Sequence, residues 1–347
     1  VRVVDPQAIA VLAALRQHFQ TGGGEGAQEA IRNLRRWAYE AASAHELLLA
    51  DLLGAVSSVR IANSGWTLLP AYTGLSRDAW QNYLSRPTAI KEMWPSQRML
   101  GEAGLYRGES GVVQMPTSAG KTKAIELVLR AAFLSGRTKL AVVVAPFRAL
   151  CQEIANDLGL AFADDGYRVN QLSDALQPDF TNELFLDFDI VTDQAPHVVI
   201  LTPEKFLYVL RQEPRLVEEL GLIVYDEGHQ FDTGTRGVTY ELLLTSIKRL
   251  LPESAQTVLI SAVIQNSAAI AKWLLSDETK VVSDRWLQTR RLVAFASLPK
   301  GKAGQLQFNL AGDGEQGFYV PRVIVQETLK GRRSERVKRV FPTSESG

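Results

Sequence analysis

The chain has 347 residues, 46% hydrophobic and 22% charged, with a formal net charge of zero. That length fits about two domains with full cores, and the neutral balance means any polyanion must be held by a local basic surface. A single cysteine, Cys151, excludes an internal disulfide and fits a reducing, cytoplasmic setting; no apolar run approaches the ~18 residues of a membrane span, and the first residues lack the order of a secretion signal.

Residues 1–90 read as a helical region. Ile9, Leu12, Leu15 and Phe19 recur at helical spacing. The stretch TGGGEG at Thr21–Gly26 is a break. A second helical pattern runs over Ala27–Leu53, with Ile31, Leu34, Ala38, Ala41 and Leu48 on one face. Arg32, Arg35 and Arg36 lie mostly off that face, where a solvated surface competes with a nucleic-acid contact. His18 and His45 have no partners at metal-ligand spacing and read as structural. Trp66, Trp80 and Trp94 read as core residues. Residues 61–74 follow no single pattern, and Pro87 and Pro95 punctuate the approach to the next region.

From Gly111 the pattern changes. Short apolar runs rich in Val and Ile recur at Gly111–Met115, Leu140–Ala145, Val198–Leu201, Leu222–Tyr225 and Val258–Ile260. They do not alternate, as expected of strands buried on both faces of a parallel sheet. Helical stretches lie between them at Lys121–Leu134, Phe147–Leu158, Pro203–Leu210, Thr239–Leu251 and Ser267–Leu275. The alternation predicts a doubly wound α/β domain over 91–290, with ligands at the carboxyl ends of its strands.

After about Arg290 the alternation stops. Leu292–Ser297, Gln305–Leu310 and Phe318–Gln326 are candidate strands in a β-rich, basic extension over 291–347. Lys330–Arg339 carries six basic residues, which suit a solvated linker or a nucleic-acid tail equally. The closing FPTSESG shows no terminal element, which reads as a truncation.

The stretch Gly111–Lys123, GVVQMPTSAGKTK, is a strand, a small-residue loop and a helix start. The loop Pro116–Gly120, through the N–H groups of Thr117, Ser118, Ala119 and Gly120, and the positive helix end would cradle a nucleotide phosphate. Lys121 would neutralise the β- and γ-phosphates and the Thr122 hydroxyl would hold Mg²⁺. Met115 stands where the strict phosphate-loop pattern has Gly, so a chance Gly-Lys-Thr is the competing reading. Roughly 100 residues downstream, Leu222–Tyr225 runs into Asp226, Glu227, Gly228 and His229. Two adjacent carboxylates at a buried strand tip need a cation opposite. Asp226 would hold the metal and Glu227 would orient or deprotonate a water; the competing reading is an acidic turn capping the next helix.

With these residues in place, the chain resembles superfamily-two helicases, because DEGH is a DExH box and the order of segments matches over roughly 90–290. The resemblance implies a RecA-like ATP-binding motor domain. Trp94-Pro95-Ser96-Gln97 resembles the Q-motif, in which Gln97 would read adenine. PTSAGKT is similar to motif I, Pro146-Phe147-Arg148-Ala149-Leu150 to motif Ia, and Thr202-Pro203-Glu204-Lys205 to motif Ib. Ser261-Ala262-Val263 stands where the family has Ser-Ala-Thr. Arg236-Gly237 with Glu241, SAVIQN followed by AAIAKWL, and DRWLQTRRLV resemble the Ski-type branch. By the same resemblance, Arg148, Thr202, Pro203, Lys205 and Arg236 would contact a single DNA or RNA strand without reading its sequence. His229, with Ser261 and Ala262, would couple the ATP site to that strand.

No second phosphate-binding sheet or arginine-finger motif is legible after residue 290, and the family carries its finger on a second RecA-like domain. The expectation is therefore one motor half that binds ATP, Mg²⁺ and nucleic acid weakly and hydrolyses ATP poorly alone, with residues 1–90 open to a protein partner. Two other functions fit parts of the pattern: an ATP-gated binding module without strand separation, and a P-loop kinase, against which DEGH and SAV argue. Repair, RNA turnover and phage defence all use this motor type.

Overall fold

The computed structural model describes residues 5–116, 119–171, 195–212, 216–228, 234–252, 254–262 and 266–283, together with five strands beyond residue 293. It divides into two compact units, Val1–Trp286 and Leu287–Gly347.

The first unit opens with three helices. Helix α1 (Pro6–Thr21) starts where the Asp5 side chain accepts from the Gln7 N–H at 2.7 Å and Pro6 takes the first turn. It stops at Gly22, whose φ of 81° places it in the left-handed region. Helix α2 (Gly24–Ala41) follows at once. Ser43 and Glu46 form a reciprocal capping box that starts α3 (Ala44–Ala62). This box splits the single pattern expected over Ala27–Leu53 into two helices. Val11, Leu15, Ile31, Leu34, Ala38 and Ile61 meet in the small core of this bundle.

The expected inward faces need correction here. Ile9, Leu12 and Leu48 lie on the outside, each more than half exposed. Val11 and His18 take the inner positions of α1 instead. His18 is structural, as expected, with Nε2 2.8 Å from the Ser64 hydroxyl.

Helices α4 (Gly65–Thr73), α5 (Arg77–Leu84) and α6 (Pro95–Glu102) lead to the sheet. Helix α4 contains Pro70, which explains why residues 61–74 followed no pattern. Trp66 and Trp80 are buried, in the same apolar cluster as Val113, Leu127 and Val143. Trp94 is not a core residue: it is 52% exposed at the start of α6.

Seven parallel strands follow: β1 (Gly111–Gln114), β2 (Leu140–Val144), β3 (Arg168–Gln171), β4 (His197–Leu201), β5 (Leu220–Tyr225), β6 (Gln256–Ser261) and β7 (Val281–Ser283). Their order across the sheet is β3-β4-β2-β5-β6-β1-β7. Between them run α7 (Lys121–Leu134), α8 (Arg148–Phe162), α9 (Pro203–Gln212), α10 (Leu216–Glu219), α11 (Gly234–Leu250) and α12 (Ser267–Leu275). Successive strand residues face opposite sides. Val113, Val143, Ile200, Val224 and Ile260 pack under α7 and α8, while Val112, Val142, Val199, Ile223 and Leu259 pack with α9 to α12. Burial on both faces makes every central strand read as an unbroken apolar run, and the doubly wound RecA-like fold expected from the sequence is the fold observed.

The second unit contains an antiparallel sheet of β8 (Ala294–Ser297), β9 (Gly304–Leu310) and β10 (Gly314–Val320), in the order β10-β9-β8. A two-stranded ribbon pairs β11 (Ile324–Val325) with β12 (Phe341–Pro342). The last strand falls in the segment expected to carry no element. Lys330–Arg339 lies outside the described residues, as does DRWLQTRRLV.

Candidate functional site

Strand order sets the site. β6 lies between β1 and β5, so the phosphate-type loop and the DEGH tip leave the sheet on either side of Ser261. Gln114 pairs with Ser261, and the Met115 N–H donates to the Ser261 carbonyl at 2.8 Å. The three segments singled out in the sequence thus share one edge of one sheet.

The loop after β1 turns at Pro116, whose carbonyl accepts from the Ala119 N–H at 3.0 Å. Gly120 has φ 78° and ψ 46° and caps α7. A side chain there would be strained, and glycine meets the requirement. A Cβ built on Gly120 would have the Gln97 amide nitrogen as its neighbour, at 3.7 Å, so Gln97 stands beside the loop. Gln97 is held in turn: its Oε1 accepts from the Trp94 N–H at 2.9 Å and its carbonyl accepts from the Tyr106 hydroxyl. The Ser96 hydroxyl donates to the Ala119 carbonyl at 3.0 Å. The segment resembling a Q-motif therefore braces the loop directly.

Lys121 is the first residue of α7 and is 8% exposed. Its Nζ lies 2.7 Å from Glu227 Oε1, a contact spanning 106 positions of sequence. Asp226 is buried; its N–H donates to the Val144 carbonyl, and its Oδ1 accepts from the Glu227 N–H at 2.9 Å. Its carbonyl accepts from Tyr240 of α11, whose phenol burial holds well above its ordinary pKa and so keeps protonated. Glu227 sits at φ 52°, a left-handed conformation that a non-glycine residue rarely takes and that is common at functional sites. Gly228 is small for a packing reason: a Cβ there would collide with the Leu259 side chain of β6.

Thr122 borders a cavity of about 290 Å³ that also takes in Tyr83, Arg86, Lys123 and Glu126. Behind it lies a buried ionic network that the sequence did not reveal. Asp165 accepts from Arg86 at 2.6 Å and from Arg130 at 2.7 Å. Arg130 stacks on Tyr83 and Phe162 and meets Glu126. The network ties α5 to the far end of the loop helix α7. Asp165 is 79 positions from Arg86 and 35 from Arg130, so no local pattern could have signalled it.

At the carboxyl ends of β2 and β4 a groove of about 830 Å³ brings together Pro146, Phe147, Arg148, Thr202 and Lys205. Both motif-Ia-like and motif-Ib-like segments thus reach one place. Arg148 and Pro203 each open a helix, so the helix N-termini add partial positive charge to the two cations. Tyr208, Arg211 and Thr239 also line it, together with the Glu204 carboxylate, Leu207 and Leu242. Sequence spacing alone did not single out Tyr208, Arg211 or Thr239, because only the parallel sheet sets α9 beside the start of α8. Thr117, Ser118, His229 and Val263 lie outside the described residues, as does the side chain of Arg236, although Arg236 itself falls in α11. Ser261 and Ala262 are placed between loop and tip as described.

Together, the sheet order and the loop–tip contact define a RecA-like P-loop nucleoside-triphosphatase fold of helicase type. The model of the DEAD/DEAH box helicase family matches residues 94–270, about half of the chain, and the chain belongs to that family. Among curated relatives, it is 30% identical over 260 residues to the Hachiman protein HamB of Bacillus cereus, covering 75% of this chain and 22% of that protein. It is 31% identical over 195 residues to the ATP-dependent DNA helicase Hel308 of Thermococcus kodakarensis, covering 56% of this chain and 16% of that one. Hel308 of Thermoplasma volcanium is 32% identical over 184 residues, covering 53% and 25%. The chain therefore spans a quarter or less of the length of these relatives. A crystal structure of the DUF1998 helicase MrfA bound to DNA gives a TM-score of 0.47 at 22% identity, over 60% of this chain and 29% of that one. No helix among the described residues is long and apolar enough to cross a membrane.

Proposed function

We propose that this chain is the ATP-binding half of a nucleic-acid motor of the Ski-type branch, working with a second RecA-like domain to move along a single strand. The carrying observation is the 2.7 Å contact between Lys121 and Glu227 across the end of β6. A loop cation and a strand-tip carboxylate that close support this reading: the lysine would take the phosphates and the carboxylate the attacking water. The loop residues Pro116–Gly120 would take the phosphates, Lys121 would neutralise their charge, and Gln97 would read the adenine. The left-handed Gly120 and the Gln97 amide beside it fit that use.

Thr122 follows Lys121 at the start of α7 and Asp226 precedes Glu227 at the strand tip; their hydroxyl and carboxylate are hard oxygen donors, a set that fits Mg²⁺ held by one or two protein oxygens plus phosphates. The ion, when bound, would neutralise charge developing on the transferred phosphoryl group. Glu227 would then exchange Lys121 for a water, hold it and take its proton. Ser261 and Ala262, on the strand between loop and tip, would carry the change toward the groove, with His229 as their partner.

In the groove Arg148, Thr202 and Lys205, joined by Pro203 and Arg236, would hold the phosphates of a single strand. Hel308 is a DNA helicase by name, which favours DNA over RNA for this chain. Polarity would be 3′-to-5′ by resemblance, and residues 1–90 are a surface for a protein partner.

The test is ATP turnover of a longer form carrying both motor domains, with single-stranded DNA, with RNA and with neither. Stimulation by a single strand that Arg148→Ala with Lys205→Ala removes supports the reading. Turnover indifferent to both strands would refute it.

A further inference from the structure

Phe147 occupies an unusual position. It caps the amino end of α8, where Ser, Thr, Asp or Asn is favoured, and makes no side-chain cap bond. It is 43% exposed and borders the groove beside Arg148. On the facing helix α9, Lys205, Tyr208 and Arg211 recur every three residues and all line the same groove. Two cations and a ring therefore share one wall with Glu204 and Leu207, with a further ring and cation opposite.

Phosphate contacts alone need cations, hydroxyls and helix ends. They give no reason for an aromatic ring at a helix cap, where a capping bond is forgone and much of the ring's burial is given up. A base has a π-face, and stacking on an aromatic side chain tolerates any sequence. We propose that Phe147 and Tyr208 are base-stacking residues, so that the groove holds a single strand by its bases as well as by its phosphates. The inference rests on the nucleic-acid reading of the groove and makes that reading more specific. A duplex, whose bases already stack on each other, cannot offer these faces, so the groove selects unpaired nucleic acid by chemistry.

The test uses the 347-residue chain and fluorescence anisotropy with two labelled probes, a thymidine oligonucleotide and the same backbone with abasic sites. The chain is expected to bind the base-carrying probe about tenfold or more tightly, the size of one stacked base. Phe147→Leu keeps apolar volume but removes the ring, and should bring the two affinities together, as should Tyr208→Leu in part. Phe147→Trp should restore the preference. Since Phe147→Leu leaves the phosphate contacts intact, the salt dependence of binding should stay as it was, whereas Arg148→Ala should lower it. Equal affinity for the two probes, or an unchanged ratio in Phe147→Leu, overturns the stacking assignment while leaving phosphate binding in place. Failure of both probes to bind overturns the nucleic-acid reading of the groove and the stacking assignment with it.

Discussion

Replacing Glu227 with Gln should make ATP bind more tightly while stopping its turnover. The Lys121 ammonium is almost sealed from water and takes its compensation from Glu227 at 2.7 Å. A triphosphate must displace that carboxylate before it can use the lysine. A hydrogen bond between charged groups contributes about 1.5–3 kcal/mol net, against about 0.5–1.5 for a neutral one. The substituted amide would keep the shape and a bond to the ammonium but lose the carboxylate's charge, a loss of about 1 kcal/mol within that range. Glu227 is 20% exposed, and screening keeps the figure near that lower value. The nucleotide-free variant should therefore melt a few degrees lower. ATP affinity should rise roughly five- to tenfold, since ~1.4 kcal/mol is a factor of ten. Turnover in a form carrying both motor domains should fall by about 10²- to 10⁴-fold with the loss of the base. Titration with a fluorescent ATP analogue and a thermal-melt series read both effects. Weaker ATP binding in Glu227→Gln than in the parent would refute the idea that the pair is a self-neutralising stand-in for the phosphate contact.

Gly228→Ala should destabilise the chain by about 1–3 kcal/mol in urea unfolding, because the new Cβ meets the Leu259 side chain; combined with Leu259→Ala the total loss should be smaller than the sum of the two single losses, and additive effects would contradict the packing explanation. Asp165→Asn leaves the guanidinium groups of Arg86 and Arg130 without their shared carboxylate, so unfolding should cost about 3–5 kcal/mol less, and a change under about 1 kcal/mol would count against the network. His18 is buried, and burial first, then the Arg77 charge, holds its pKa below 6.5. The unfolded chain therefore takes up the proton first, and stability present above about pH 6.5 should be lost as the pH falls below it. Melts at about pH 7.5 and about pH 5.5 should show that loss in the parent and less of it in His18→Gln. Cys151 is pushed up to about 11 by burial, so a thiol reagent at about pH 8 should label it in urea and leave it untouched in the folded chain.

The sequence carried the central strands well because both their faces are buried: Leu140–Val144 and His197–Leu201 hold no exposed residue to interrupt the run. The two edge strands escaped notice for the converse reason. Arg168–Gln171 is polar and half-exposed at one border, and Val281–Ser283 is three residues long at the other. In the amino-terminal helices periodicity identified helices but not their inner faces. Leu48, Leu52, Val56 and Val59 repeat as a buried stripe would, yet all are exposed. The loop and the DEGH tip were legible as local chemistry, and β6 between them was legible as a strand. That the Lys121 and Glu227 side chains touch follows only from the strand order, which no spacing rule gives. Tyr208, Arg211 and the Asp165 network were invisible for the same reason, since each depends on which helices the sheet makes neighbours.

The most direct test is equilibrium binding of ATP with Mg²⁺ to the 347-residue chain and to its Lys121→Ala variant, followed calorimetrically. One site per chain in the parent, lost or weakened at least about tenfold in a variant that still folds, is the result expected if Lys121 and Glu227 frame a triphosphate. Equal affinity in the two proteins would place the nucleotide elsewhere and contradict the account.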